Sequence, residues 1–539
     1  MMKNALFILI DGLRYDVMAD EEAARLLMPN LARLLDRGFV RRVIANGQAT
    51  QFVMPSLFSL TYPLDYGGYN NGIRERPKSF VELLRGAGYE THSMSTCNHL
   101  GITSGYDRGF DSVRIASDHR TTLESRITRT LSYDLTLWKK GERTEAETVE
   151  LIQRELGMML DAIEGSIRAF DKSYWPARLR RINVLVASGC AAERELLKRE
   201  PLTVLEKLVK VPAGVYWRFL GERKAFMLKL LLFRVIEGIS WRARKYISTI
   251  TWFPFFTLGH YPVLIGEIIE PIRTFISKPP SRPWFLYMHT MDVHDCRSIS
   301  RPLHILERLR YLPRWIRAKL MGKTKRRWLY DTAVMYVDDC LGKVFETLSN
   351  TGQLEKTLIL VVGDHGYQYA QSPRKKQGVA TRTHYEDIEA PLLMSGIDML
   401  PSDNGLIDSM GVTATLLDAL DIPLHNSFKG RSAFRVGRVA VISENCGGGN
   451  ADIDRRDVYF TVTTKSYKMM VVLCSHRLKV EELYNLEKDP WEVCNLVGEE
   501  RYTEVIQEML AHLYAERGEL LARRGALPKQ SLFIIHTEH

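Results

Sequence analysis

The sequence contains no run of about 18 apolar residues free of charge, so no membrane-spanning helix is expected. Its opening, MMKNALFILIDGLRYD, holds an apolar stretch too short for a signal segment, and no small-residue cleavage site follows. Cysteine is sparse and unpaired in spacing: seven residues, an odd number, make neither a disulfide framework nor a zinc ribbon. Reduced thiols and a cytoplasmic location are the resulting expectation. There is no internal repeat, no low-complexity linker and no motif of the common DNA- or RNA-binding modules, so a nucleic-acid partner is not expected. Disorder is excluded as well, because 45% hydrophobic and 26% charged residues is ordinary globular composition.

What is present is length, with a charge that is unevenly spread. A chain of 539 residues predicts about two to four structural units. The net charge of +10 is local: Tyr174 to Lys245 holds sixteen Lys and Arg against six Asp and Glu. Arg297 to Arg327 carries a comparable excess, and the remainder is mildly acidic. Aromatics stud the first basic stretch (Trp175, Tyr216, Trp217, Trp241, Trp252, Phe253, Phe255, Phe256), which fits a surface lying among anionic head groups. It equally fits a solvated helical cover over an aromatic core.

Residue patterning divides the chain. Ala5–Ile10 (ALFILI) reads as a buried parallel strand, Met28 to Gly38 as a helix stopped by glycine, Phe80 to Gly88 as a second helix and Tyr89 to Met94 as a strand. From about 120 to 280 the apolar residues take helical spacing among many arginines, as in Phe226 to Ile247. The strand–helix rhythm resumes with Trp284–Met288, a helix over Tyr330–Leu348, then Thr357–Val362 and Ala390–Met394. Short strand-like pieces (VAVIS, VYFTVTT, YKMMVVL) and a charged helical tail from Thr503 close the chain. The expected architecture is α/β, a doubly wound and mostly parallel sheet over residues 1–430. A basic helical insertion at 120–280 interrupts it, and a small β-rich subdomain with a helical tail follows at 431–539.

Ligands in such sheets sit at the carboxyl ends of strands. The first strand runs into Asp11, then Gly12, Leu13 and Arg14; the late strand TLILVV runs through Gly363 into Asp364, His365 and Gly366. Two carboxylates and an imidazole suit a divalent cation, although an Asp after a strand is more often a cap or turn residue. Asn46 to Pro63 (NGQATQFVMPSLFSLTYP) offers hydroxyls at Thr50 and Ser56 before a helix-like stretch. A hydroxyl at a helix start beside a cation can serve as nucleophile, while an isolated Thr there can equally be a plain N-cap.

Taken together, these pieces resemble the sulfatase-like branch of the alkaline phosphatase superfamily. The motifs follow in that family's order: ILIDGLRYDVM with MPNLARLLDRG, GYDRGFD (Gly105 to Asp111), WFLYMHTMDVHD (Trp284 to Asp295), YDTAVMYVDDCLGKVFETL, LVVGDHG, HYEDIEAPLLM and ELYNLEKDPWEVCNL (Glu482 to Leu496). The resemblance implies metal ligation by Asp11, Asp364, His365 and the nucleophile, with Zn2+ or Mn2+ as the cation and Mg2+ or Ca2+ as alternatives. It further implies that His294 or His384 meets the substrate or its leaving group, and that Arg14 and Asn98 face the substrate anion.

Two departures shape the chemistry. Sulfatases of this branch carry Cys-x-Pro-Ser-Arg, whose cysteine becomes formylglycine; here Val53-Met54-Pro55-Ser56-Leu57 stands instead. Thr50, five residues before Pro55, is placed like the nucleophilic threonine of the related phosphoethanolamine transferases. Gly12 stands where many members have a second Asp, which points to one tightly bound metal rather than two. The function implied is a metal-dependent phosphodiester hydrolase or phospho-group transferase acting through phosphothreonine, on lipid head groups or lipid-linked glycans, peripheral to the inner membrane face through 174–245 and 297–327. The alternatives are a sulfuric ester hydrolase without formylglycine, using Thr50 or Ser56, and a catalytically silent membrane-surface protein.

Overall fold

The computed structural model describes residues 3–96, 104–116, 131–169, 177–204, 263–294, 311–323, 325–368, 383–399, 404–447 and 452–526, with isolated positions between them. Eight strands form one sheet: β1 (Asn4–Ile10), β2 (Gly38–Ile44), β3 (Glu90–Ser95), β4 (Ser112–Ile115), β5 (Trp284–Thr290), β6 (Thr357–Val362), β7 (Glu389–Ser395) and β8 (Ile407–Asp408). Their order is β4-β3-β5-β1-β6-β7-β2-β8, and β7 alone runs against the rest. This is the mostly parallel α/β sheet that the sequence predicts.

Side-chain alternation explains why the central strands read as unbroken apolar runs. Ala5, Phe7 and Leu9 of β1, Phe285 and Tyr287 of β5, and Leu358, Leu360 and Val362 of β6 point into one hydrophobic layer. Leu6, Ile8 and Ile10, Leu286 and Met288, and Ile359 and Val361 point into the other. A strand buried on both faces gains from an apolar residue at every position. Helices Lys325–Asn350 and Ile269–Ser277 cover the second layer, whereas Thr50–Ser59 and Ser409–Ala419 cover the first.

The stretch Met28–Gly38 departs from the single helix expected of it. It forms a short α-helix, Pro29–Ala32, then a 3-10 turn, Arg33–Arg37, and Gly38 opens β2 rather than merely ending a helix. A Cβ at Gly38 would lie 2.0 Å from the Met394 carbonyl oxygen, so only glycine lets β2 approach β7 there.

A second sheet, antiparallel, is built from β9 (Val441–Asn445), β10 (Val458–Thr463), β11 (Tyr467–Cys474) and β12 (Arg477–Asn485). Its inner residues Val458, Phe460, Val462 and Val471 join the first layer, as do Ile506, Met509 and Leu513 of the closing helix Thr503–Arg523. In the basic insertion, Glu145–Ala169 packs on Ala177–Arg199 through Leu151, Ile152, Leu156 and Leu160 against Val186, Cys190 and Leu197. The apolar side of this described part therefore faces another helix. The aromatic run of the insertion lies outside the described residues, as do about two thirds of Phe226–Ile247. No described helix is long and apolar enough to cross a membrane, and the described cysteines are free thiols.

The closing helix is tied down by charge as well as by packing. Its regular geometry breaks at Arg517 (φ −122°), whose guanidinium meets Glu444 at 2.7 Å and Asp65 at 2.8 Å and lies 4.5 Å from the centre of the Tyr62 ring. Glu444 is fully buried. Removing one partner of a buried pair strands the other charge, so Arg517→Ala is expected to cost about 3–5 kcal/mol of unfolding free energy in urea titration. A loss below about 1 kcal/mol would mean that the pair behaves as an exposed one.

Candidate active site

Parallel strands deliver their carboxyl ends to one edge of the sheet, and the chemistry gathers there. β1 lies between β5 and β6, with Leu9 opposite both His289 and Val362. Asp11, immediately after β1, therefore meets His289 of β5 on one side and the Asp364–His365 loop on the other. The His365 Nε2 is 3.4 Å from Asp11 Oδ1 and 3.6 Å from Asp364 Oδ2, and His289 Nε2 is 3.5 Å from Asp11 Oδ2. All these residues are buried.

Thr50 opens the Thr50–Ser59 helix, but Ala49 holds the N-cap position and no side chain caps the turn. The plain capping role is thus ruled out. The Thr50 hydroxyl instead donates to Asp11 Oδ2 at 2.7 Å and lies 3.4 Å from His365 Nε2. Val53 is buried one turn further along in the apolar layer, and the Ser56 hydroxyl donates to the Thr61 carbonyl at 2.9 Å inside the helix packing. Neither occupies the cluster that Thr50 joins.

The donor set is suited to a cation. Asp11 Oδ1 and Asp364 Oδ2 are buried and accept no hydrogen bond among the described residues, an expensive arrangement unless positive charge is supplied. His365 Nδ1 lies 2.6 Å from the Gly366 carbonyl, which holds its proton and turns Nε2 toward the carboxylates as a lone-pair donor. The backbone N–H of Gly12 holds Asp364 Oδ1 at 3.0 Å. Among the described residues, ligand atoms of Asp11, His294 and His365 all lie within 4.8 Å of one another, a grouping that holds His294, also a candidate at the leaving group, and leaves Asp364 out.

Electrostatics tell the same story. Burial would raise the Asp11 carboxyl, yet His294, His289 and His365 outweigh it and hold that group well below the usual range. Asp364 moves up, through burial first and then the neighbouring Asp11 charge. Burial disfavours charge on His365, but Asp364, Asp11 and the Gly366 carbonyl dominate and push it up to about 10. In the bare protein a proton on the His365 imidazole thus offsets carboxylate charge, the role that a divalent cation takes in such a site.

Gly12 has a structural reason. Its φ is +71°, and a Cβ there would lie 3.3 Å from the His294 Cα. A second acid at this position would be strained, and His294 stands where it would need room.

The remaining predicted residues fare differently. Arg14 is buried with its guanidinium bidentate on Asp16, at 2.9 Å through both Nε and Nη2, and donates to the Tyr367 carbonyl at 2.7 Å. These donors bind protein groups and join the Asp11 loop to the Asp364 loop. Asn98 lies outside the described residues. His384 is the N-cap residue of the Tyr385–Ile388 turn. That turn is stitched to the site by the Gly366 N–H on the Asp387 carbonyl at 2.9 Å. Sequence reasoning missed His289, whose signal was an imidazole in an otherwise apolar strand, with Tyr287 OH 3.2 Å from its Nδ1.

Comparison with known proteins bears on the family and the fold. Residues 3–163 and 232–422 match the family model described as Sulfatase. A curated relative, the multifunctional alkaline phosphatase superfamily protein PehA of Trinickia caryophylli, is 25% identical over 294 residues. That match covers 44% of this chain and 56% of the relative, so the chain spans about half the length of the protein it resembles. Among solved structures, a 2-O GAG sulfatase superposes with a TM-score of 0.56 at 13% identity, covering 98% of this chain and 94% of the other. The phosphonate monoester hydrolase of Agrobacterium radiobacter gives 0.55 at 14%, covering 96% of each. At such identities the structural likeness speaks to fold alone. The family match covers more than half of the chain, and the chain belongs to the sulfatase family.

Proposed function

We propose that this protein is a metal-dependent hydrolase or phospho-group transferase acting on phosphodiesters, with Thr50 as the nucleophile. The observation that carries the reading is the Thr50 hydroxyl, 2.7 Å from Asp11 Oδ2 and 3.4 Å from His365 Nε2, in a buried carboxylate–imidazole cluster. Asp11, Asp364, His365 and Thr50 would hold the cation. Mixed oxygen and imidazole donors favour Zn2+ or Mn2+ over Mg2+ or Ca2+, which prefer oxygen shells. A divalent cation bound there lowers the pKa of the hydroxyl and neutralises charge on the non-bridging oxygens.

The chain's own groups do the rest. Asp11 Oδ2 orients the hydroxyl and receives its hydrogen bond, so a lone pair of Thr50 Oγ1 faces the substrate. Oγ1, whose proton would pass to solvent as the cation binds, forms a bond to phosphorus as the ester oxygen departs, and His384 supplies the proton that this oxygen needs. Water or an acceptor hydroxyl then attacks the same phosphorus and releases Thr50. A threonine ester has a single bridging oxygen and needs this second in-line attack, whereas a formylglycine hydrate has a second hydroxyl to expel the bound group. That difference favours phosphate over sulfate.

Donors of the lipid head group or lipid-linked glycan class fit the basic surface of the insertion. Exposed Leu232, Val235, Ile236 and Ile239 recur there at helical spacing, as an interfacial helix would place them. Hydrolysis of a bis-aryl phosphate and an aryl sulfate, assayed in parallel after chelation and readdition of Mn2+, Zn2+ or Mg2+, tests the reading. Metal-dependent turnover of the phosphate is expected; turnover of the sulfate alone would establish the sulfuric ester alternative and overturn ours.

A further inference from the structure

His384 and the last segment of the chain meet through an arrangement that the mechanism above leaves unexplained. The Nδ1 of His384 lies 3.0 Å from Glu492 Oε2. The Tyr385 N–H donates to Oε1 of the same carboxylate at 3.1 Å, and the Lys468 ammonium of β11 bonds Oε1 as well. Glu492 and Lys468 are both buried, while the imidazole keeps some exposure.

Three features mark Glu492 as more than a packing residue. Its backbone is left-handed, φ 55°, a conformation costly for a residue with a side chain and held only where the surroundings over-determine it. Its charge is desolvated, which needs compensation; burial would raise its pKa, but Lys468 and His384 outweigh burial and keep it ionised. Finally, it reaches across 108 residues of sequence to the one histidine on the turn that Gly366 ties to the Asp364–His365 loop.

We propose that Glu492 is the positioning residue for His384: it holds the Nδ1 proton, so that Nε2 is the nitrogen that gives and takes the proton at the leaving oxygen. This inference rests on the hydrolase or transferase reading above. As the ester oxygen departs, the imidazolium releases its Nε2 proton to that oxygen and stays neutral with Nδ1–H on Glu492. In the second half, the same bare Nε2 accepts the proton of the incoming water or acceptor hydroxyl, which restores the imidazolium. The carboxylate stabilises the charged ring without taking its proton, as carboxylate–histidine pairs do elsewhere. Lys468, the third member, keeps Glu492 anionic. Among the described residues, Asp387, whose N–H bonds the His384 carbonyl, and Tyr484, whose ring centre is 6.4 Å away, also lie near His384.

The test uses the full chain with Glu492→Gln combined with Lys468→Met, which removes both buried charges together and leaves an acceptor for Tyr385. Two phosphodiesters are compared, one releasing 4-nitrophenol and one releasing an alkanol. A poor leaving group depends on general acid catalysis, worth about 10²–10⁴-fold, and a good one does not. The double variant and His384→Ala should each lose about 10²-fold or more in kcat on the alkyl ester and far less on the aryl ester, with no further loss when combined. Equal losses on both esters would show a merely structural role, and an unchanged alkyl ester would show none; either overturns the inference. A separate readout does not depend on substrate. The 15N resonances of His384, assigned against His384→Gln, should report protonated Nδ1 above the ring's pKa. A neutral ring protonated at Nε2 instead would sink the proposal, whereas loss of phosphodiester turnover in the wild type would sink only the underlying reading.

Discussion

Thr50→Ala is expected to lose at least about a thousandfold in kcat on a bis-aryl phosphate, with the fold intact, since removal of a nucleophile from a preorganised site costs up to about 10⁶-fold. The size follows from what the hydroxyl does in the structure: it is the one atom of the Thr50–Ser59 helix that reaches both Asp11 and His365. The fold should survive because Thr50 does not cap its helix, Ala49 occupying that position with extended φ and ψ. Thr50→Ser keeps the oxygen and should retain most of the turnover. Quenched wild-type enzyme should carry an aryl phosphate adduct on Thr50 by mass spectrometry, and Thr50→Ala none. An alanine variant within about tenfold of wild type would move the nucleophile elsewhere, because a loss that small, about 1.4 kcal/mol, is what a misplaced neighbour gives.

Which of these features could be read from sequence follows from burial. β1, β5 and β6 were legible because both faces are covered and every position pays to be apolar. β2 was not. Its GFVRRVI carries Arg41 and Arg42 near the edge of the sheet, where half-exposed positions tolerate charge and break the pattern. Asp11, Asp364 and His365 were legible because strand ends are where an α/β sheet presents ligands. The first histidine of WFLYMHTMDVH escaped notice because the strand runs two residues beyond the apolar core of the motif. That extension carries His289 into register with Leu9, beside Asp11. Arg14 is legible as a neighbour of Asp11, whereas its partners Asp16 and the Tyr367 carbonyl are supplied only by the fold. Glu492 lay inside a recognisable C-terminal signature, yet its meeting with His384 is a tertiary fact without local periodicity or spacing to announce it. Gly12 was visible as a missing acid, while its cause, the backbone of His294 close by and a left-handed φ, was not.

Asp364→Asn should change the response to metal in sign as well as size. Without a cation, two buried carboxylates face one another across His365, and the Asp11 charge together with burial pushes Asp364 toward its neutral form. An asparagine keeps the carbonyl oxygen that Gly12 N–H holds at 3.0 Å. Chelated Asp364→Asn is therefore expected to melt higher than chelated wild type, because an amide carries no charge for burial, first, and the Asp11 carboxylate, second, to disfavour. With Mn2+ or Zn2+ at a hundred times its dissociation constant, the wild type gains about 2.7 kcal/mol by mass action, and the variant, short of one charged ligand, gains little. The order of melting temperatures should reverse, metal content should fall from one ion per chain toward none, and phosphodiester turnover should drop to the level of Thr50→Ala. Calorimetry with and without chelator, alongside metal analysis of the dialysed proteins, reads all of this. If Asp364→Asn still gains as much from the metal as wild type does, Asp364 is not a ligand, and the cation sits on Asp11, His294 and His365 instead, the other grouping that the geometry offers.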